Sequence, residues 1–384
     1  MPGIAFLANS LWVLVIGLMG PSVPFIIDEF SIDYSQAGLI FTLLSMASFL
    51  GTFAGGWVSD YPKRKFFWLL FLFMLAAGLV VFGFASSYIL LLLTVFLMSL
   101  FGSPIGAVGQ SIMLQMYPGK RGAYVSLSTM FAAVGSFTAP ILISIVYLAG
   151  LSWRAAFYIT AAFVMVLFVL VLSARLPRPS SHHAGSLSVF RLFRDRRILF
   201  AGAMIFFTVG IDLGFSYWLA EYFISRLGTA AEISGFAVGC FLIGIILGRF
   251  LNSRKPEGVS LYLVPRVGLV IAAVALVFFL NVTDFRMKLV LCFIYGIGVG
   301  PVFPSMMAAG TSLYPERSGA VTAVLFSMMS LSGAAFPFMI GSIGNDLGIE
   351  KAYYSLLFIM IPIAAGLIFG NKIITDRSGR LPQA

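Results

Sequence analysis

Very few side chains in this 384-residue sequence are placed to do chemistry. Asp212 interrupts an apolar run that begins at Leu199, between Gly210-Ile211 and Leu213-Gly214-Phe215. In a bilayer-spanning helix a central Asp costs about 2.5–3.5 kcal/mol, so the carboxyl must face a cavity. A carboxyl that ionises when its cavity opens to water and is reprotonated before closure carries a proton. The same group can ligate a substrate, or sit permanently neutral and hydrogen-bond a neighbouring helix. Ser216 follows at i+4 on the same helical face, and Trp218 two residues later. Asn9, Gln110, Ser305 and Ser327, with Ser10 and Ser136, add amides and hydroxyls to other apolar runs. Directional donors and acceptors without fixed charge suit a polyol, and Trp218 offers a face for a sugar ring. No Lys or Arg lies deep in an apolar run, which argues against an anionic substrate needing a cationic clamp. For any single Ser, a bond to its own helix backbone competes with these roles.

The elements that position these residues follow from composition. The chain is 60% hydrophobic and 10% charged, with a mean hydropathy of +1.03, against about 25% charged residues in a soluble domain. A spanning helix needs roughly 20 apolar residues. The runs predict helices over 4–26, 35–58, 66–86, 88–116, 121–148, 153–174, 198–220, 231–250, 260–281, 287–312, 318–344 and 352–372. That leaves no room for a soluble catalytic domain. Cys240 and Cys292 both lie in apolar runs, without disulfide or zinc spacing. His182-His183 falls in a loop and holds no metal, and the sequon Asn281-Val282-Thr283 abuts a helix end. Met1-Pro2-Gly3 carries no basic side chain, so no secretory signal is expected. No HExxH, paired membrane acids or nucleophile motif suggests an enzyme.

Charge sets the topology. With both termini cytoplasmic, only Arg154, Arg226, Arg286, Lys288 and Lys351 of the 24 Lys and Arg fall on the outer side. The net charge of +10 is therefore a topology signal, and no nucleic acid is expected. Every acid except Asp212 falls in a loop or at a helix end.

The halves repeat. Tyr117-Pro118 with Gly122-Ala123 recurs as Tyr314-Pro315 with Gly319-Ala320; Pro104 recurs as Pro301 and Pro140 as Pro337, each pair 197 residues apart. The basic, Pro- and Ser-containing stretch 175–197 reads as a cytoplasmic linker between bundles 1–174 and 198–384, the latter ending in a short tail. Repeated halves around a midplane site mark secondary transporters.

The loop after helix two, Gly56-Trp57-Val58-Ser59-Asp60-Tyr61-Pro62-Lys63-Arg64-Lys65, resembles the G-x-x-x-D-R-x-G-R-K signature of the major facilitator superfamily. Gly56, Asp60, Arg64 and Lys65 match; Tyr61 and Lys63 depart. Gly248-Arg249-Phe250-Leu251-Asn252-Ser253-Arg254-Lys255 reads as its second-half counterpart, with Asn for Asp. Trp153-Arg154-Ala155-Ala156-Phe157 is similar to the W-R-x-x-F that starts helix six in that superfamily. The resemblance implies an all-α membrane protein of twelve transmembrane helices in two pseudo-symmetric six-helix bundles, the major facilitator fold. It implies that helices one, four, seven and ten border the pathway and that the protein functions as a monomer. It also implies a gate in which Asp60, held by Arg64, meets the N-terminus of helix eleven near Ser318, where the helix dipole favours an anion by about 0.3–1 kcal/mol. Gly56, Lys65 and Arg249 would belong to the same gating motifs.

Gly298-Val299-Gly300-Pro301-Val302-Phe303-Pro304-Ser305 resembles the G-x-x-P-I-F-P-T stretch of fucose and glucose permeases. Gly210 to Trp218 resembles their G-x-E-x-x-x-x-x-W pattern with Asp for Glu, and Gln110 stands where many carry Asn. The acids this group implies in helices one and four are missing. The expectation is a transporter of a small neutral solute, a monosaccharide, driven by the proton gradient through Asp212, without a cofactor, in a bacterial or archaeal plasma membrane. The alternative is a proton-coupled exporter of drugs or lipophiles. Its helix-five G-x-x-x-G-P-x-x-G-G pattern survives only in part at Gly135-Ser136-Phe137-Thr138-Ala139-Pro140.

Overall fold

The computed structural model describes residues 2–59, 61–117, 121–174, 176, 194–254, 262–314 and 318–369. Asp60, most of the linker 175–197 and the tail beyond 369 lie outside the described residues.

Among the described residues the chain is helical throughout: α1 (Pro2–Phe30), α2 (Tyr34–Ser59), α3 (Arg64–Gly83), α4 (Tyr88–Met116), α5 (Arg121–Leu148), α6 (Arg154–Ser173), α7 (Arg196–Leu227), α8 (Ala231–Ser253), α9 (Leu263–Asn281), α10 (Phe285–Val299), α11 (Val302–Ser312), α12 (Ser318–Leu347), α13 (Ile349–Ala352) and α14 (Ser355–Phe369). These build twelve segments long and apolar enough to cross a membrane. The tenth is α10 and α11 with a break at Gly300-Pro301, and the twelfth is α13 and α14. The chain divides into two compact units, residues 1–184 with 230–236, and residues 185–229 with 237–384.

Short polar residues set the helix starts. Asp33 and Gln36 form a reciprocal capping box before α2, with N···O distances of 2.9 and 2.7 Å. Ser87, Asp195 and Asp284 cap α4, α7 and α10. α7 outruns its predicted end at 220 because buried Tyr222 and Phe223 extend its apolar face, and it stops at Gly228 in the left-handed conformation (φ 61°). Asp212 therefore lies at the middle of α7.

The 197-residue repeat extends to the helix boundaries. The starts of α2 and α8, of α4 and α10 and of α5 and α12, and the ends of α1 and α7, are each offset by that number. Packing repeats too. A methyl placed on Gly51 would lie 2.3 Å from the Leu100 carbonyl oxygen, and one on Gly248 would lie 2.4 Å from that of Ile297. Both pairs are again 197 residues apart. Pro104 and Pro301, four residues on, have no N–H to offer these carbonyls. The facing glycine Cα–H groups answer them with weak contacts worth about 0.5–1 kcal/mol each.

Trp153-Arg154 ties α1, α3 and α6 together. The Arg154 guanidinium pairs with Glu29 and donates to the carbonyls of Gly83 (2.6 Å) and Ala85 (2.8 Å), while Trp153 Nε1 donates to Glu29 (2.8 Å). In the second unit Arg226, at the position of Glu29, pairs with Glu350, at the position of Trp153, at 3.2 Å and half-exposed. Arg154→Ala should cost about 2–3 kcal/mol, because it leaves three acceptors short of donors. Arg226→Ala should cost under about 1 kcal/mol, as an exposed pair does. Thermal unfolding in detergent compares the two; equal losses would show that Arg154 is no more than a surface ion pair.

Candidate functional site

α7 is deeply enclosed in the second unit, and most of its polar residues are engaged in packing. Trp218 is fully buried, and its Nε1 donates to the Pro337 carbonyl at 2.9 Å. It belongs to the α7–α12 seam and offers no face for a sugar, which corrects its expected role. Ser305 is buried on α11, with its Oγ 3.5 Å from Asn252 Oδ1. Ser327 donates to its own helix at the Ala323 carbonyl, 2.8 Å away, the competing reading for a lone Ser. Ser216 is buried one turn from Asp212.

Asp212 differs from all of these. It is partly exposed at the centre of its helix, and its carboxylate has no hydrogen-bond partner among the described residues. Arg249 on α8 acts on it electrostatically, as do Tyr217 on α7 and Tyr295 on α10. A partly exposed, central carboxyl without a hydrogen-bond partner among the described residues can exchange a proton or accept a ligand's donor. One premise of the sequence reading changes here. Lys288, expected on the outer side at the start of a helix, is fully buried in α10. Its Nζ donates to the Tyr222 hydroxyl (2.9 Å) and the Phe279 carbonyl (2.6 Å) and lies 4.7 and 4.3 Å from those ring centroids. Its acceptors and π faces come from the protein itself, so this cation is committed to the core.

In the first unit, Asn9 Nδ2 donates to both the Ser128 carbonyl and Oγ at 3.1 Å. A methyl on Gly106 would lie 3.0 Å from Asn9 Oδ1. Phe6, one turn back, stacks on Tyr124 and Phe131, with centroids 6.2 and 5.1 Å apart and near-parallel planes. Asn9 Nδ2 is thus engaged in the α1–α5 seam, while the side chain remains partly exposed. Gln110, one turn beyond Gly106 on α4, is half-buried, and its amide has no partner among the described residues. Gln110 in one unit and Asp212 in the other are thus partly exposed side chains without a hydrogen-bond partner among the described residues.

The gating residues also separate. Asp60 lies outside the described residues, so its pairing with Arg64 is not described. Arg64 is buried and donates to Gln115 Oε1 (2.6 Å) and the Ser59 carbonyl (3.3 Å). Lys65 Nζ donates to the carbonyls of Leu172 (2.9 Å) and Ala174 (2.8 Å), capping the end of α6. A methyl on Gly56 would meet nothing within 4 Å. The tight glycine is Gly51, and its structural equivalent is Gly248, so the segment beginning Gly248-Arg249 is not the counterpart of the one beginning at Gly56. Arg249 is exposed and acts electrostatically on Asp212.

Sequence reasoning did not find the hydroxyls on α7. Tyr295, Tyr353 and Ser332 donate to the carbonyls of Ile211 (2.9 Å), Phe215 (2.7 Å) and Phe206 (2.6 Å). The available signal was tyrosine in apolar helices, since a buried phenol needs an acceptor. At the start of α7, Asp195 accepts from the amides of Arg197 and Ile198 and from the Tyr314 hydroxyl. Burial alone would push the Asp195 carboxyl up, but these hydrogen bonds hold it below its ordinary value. Their stabilisation is present at neutral pH and is lost as pH falls through the lowered value.

The family model described as Major Facilitator Superfamily matches residues 5–337. The cis,cis-muconate transport protein of Acinetobacter baylyi is 26% identical, covering 96% of this chain and 94% of that protein. A protein TsgA homolog of Edwardsiella ictaluri is 20% identical over 65% of this chain, which spans only 64% of that protein's length. A solved bacterial homolog to the human lysosomal transporter Spinster, in an inward-facing and occupied conformation, aligns with TM-score 0.83 at 17% identity over 100% of this chain and 98% of that one. That similarity establishes a common fold.

Proposed function

The chain belongs to the Major Facilitator Superfamily, and from that premise we propose that it is a secondary transporter coupling protons to a small uncharged solute through Asp212. Integral membrane placement and transport follow from the family and its twelve spans. The observation that carries the coupling is the partly exposed carboxyl at the centre of α7, without a hydrogen-bond partner among the described residues. Such a group is costly in a membrane unless it works. A monosaccharide is a solute class whose hydroxyls can donate to a carboxyl. In this reading both termini are cytoplasmic, the proton gradient is the driving force, no cofactor takes part and the working unit is a monomer.

A second reading, export of a lipophile against protons, draws support from the engagement of Asn9, Trp218, Ser305 and Ser327 in helix packing. With those residues committed, few groups remain to hydrogen-bond a polyol. Liposomes containing the protein and a trapped pH dye separate the two readings. Interior acidification on adding a monosaccharide supports sugar symport. Proton movement evoked only by lipophilic cations or dyes supports the exporter. Solute counterflow without proton movement would overturn coupling.

A further inference from the structure

Three side-chain hydroxyls reach the backbone of α7, and one lands on the peptide unit that carries Asp212. Tyr295 on α10 is fully buried and donates to the Ile211 carbonyl at 2.9 Å. That carbonyl belongs to the peptide bond joining Ile211 to Asp212, so the hydrogen bond fixes the plane from which the Asp212 side chain departs. Tyr353, also fully buried, makes the equivalent bond to the Phe215 carbonyl one turn on, at 2.7 Å. Ser332 bonds the Phe206 carbonyl, more than one turn before Asp212. At the offset of 197, Met98 occupies the place of Tyr295 and Ala156 that of Tyr353, so neither phenol is repeated in the first unit. Both belong to the unit that carries Asp212.

We propose that Tyr295 is a positioning residue for proton exchange at Asp212, holding the carboxyl in one orientation through the Ile211 carbonyl. The proposal rests on the proton-carrier reading of Asp212. Among the described residues, the charged or titratable groups acting on that carboxyl are Arg249 from α8, Tyr295 from α10 and Tyr217 from α7 itself. α11, α12 and α14 bring none. Arg249 and Tyr217 act on Asp212 through space, whereas Tyr295 is also bonded to its peptide unit. The Ile211 carbonyl can retain its helical N–H donor when the phenol is removed, so Tyr295→Phe changes orientation without orphaning a buried group.

The test needs no solute. In the purified full-length protein, infrared difference spectra recorded against pH report the protonated carboxyl band, and Asp212→Asn identifies it. In Tyr295→Phe the band should move in frequency, and its midpoint should be displaced by about 0.5 pH unit or more. This is the roughly threefold change expected from one hydrogen bond of ordinary net worth. Tyr353→Phe removes a matching bond from a different peptide unit and should leave band and midpoint in place. A wild-type spectrum in Tyr295→Phe overturns the proposal, as do equal displacements in both Tyr→Phe variants, which would mean general loosening of α7. If no band is lost in Asp212→Asn, the proton-carrier reading fails first and takes this proposal with it.

Discussion

Asp212→Asn keeps solute exchange and abolishes accumulation driven by a proton gradient. The amide has nearly the shape of the protonated carboxyl and can donate a hydrogen bond, so the packing around α7 is kept. What it cannot do is release a proton to water. Moving one charge through 100 mV is worth about 2.3 kcal/mol, so a one-proton symporter can sustain roughly fiftyfold accumulation at that potential. The variant should fall to onefold, with counterflow rates within about threefold of wild type. Uphill uptake persisting in the variant would assign Asp212 a structural role. Loss of both accumulation and counterflow would make it a substrate ligand. The expectation depends on the position of the residue: central, partly exposed and unsatisfied among the described residues.

Gly248→Ala should be among the most damaging single-methyl changes in the chain, and Gly56→Ala among the most harmless. The methyl on Gly248 would lie 2.4 Å from the Ile297 oxygen and 3.1 Å from the Ile297 carbonyl carbon and Cα, all backbone atoms that cannot swing aside. α8 and α10 would have to separate, at a cost of about 1–3 kcal/mol of overpacking plus the lost Cα–H contact. Gly51→Ala should behave alike against Leu100. Gly56 is exposed within α2 with open space beside it, so alanine there should gain up to about 1 kcal/mol from helix propensity. Thermal unfolding monitored by size-exclusion chromatography ranks the three. The order is informative because motif reading would have made Gly56 the critical glycine, with Gly248 as its equivalent. A Gly56→Ala loss matching that of Gly248→Ala would restore the motif alignment.

The scaffold was readable from the sequence because its causes are local and additive. Apolar run length sets spans, Asp and Ser set starts, and the 197-residue spacing of prolines predicts a duplication that recurs in helix boundaries and glycine contacts. Asp212 was legible for the same reason, since a carboxyl in an apolar run is costly wherever the helix goes. The partners of the other polar residues were not legible. Whether Asn9 reaches a solute or Ser128, and whether Trp218 shows its face or its N–H, depends on helix rotation and neighbour choice, which sequence periodicity does not encode. Lys288 misled in the opposite sense. A cation near a helix start reads as a topology mark, and nothing local announces that Tyr222 and Phe279 will enclose it. Gly248 was misaligned because basic residues follow many spans, whereas Gly51 and Gly248 share the closer likeness of meeting a carbonyl that a proline leaves without its helical donor.

The glycine–carbonyl contacts also limit how each half can deform. Two helices whose backbones meet this closely are keyed: sliding one along the other by a residue brings a side chain onto the carbonyl where the glycine now sits. α2 with α4, and α8 with α10, therefore behave kinematically as single beams, each removing one sliding degree of freedom from its bundle. The key continues to the break in the tenth span, where a methyl on Gly300 would lie 2.6 Å from the Ile245 carbonyl oxygen of α8, so bending is left to places beyond these contacts. The amide protons of the two beams should then be among the last in their halves to exchange with deuterium, whichever solute the protein carries.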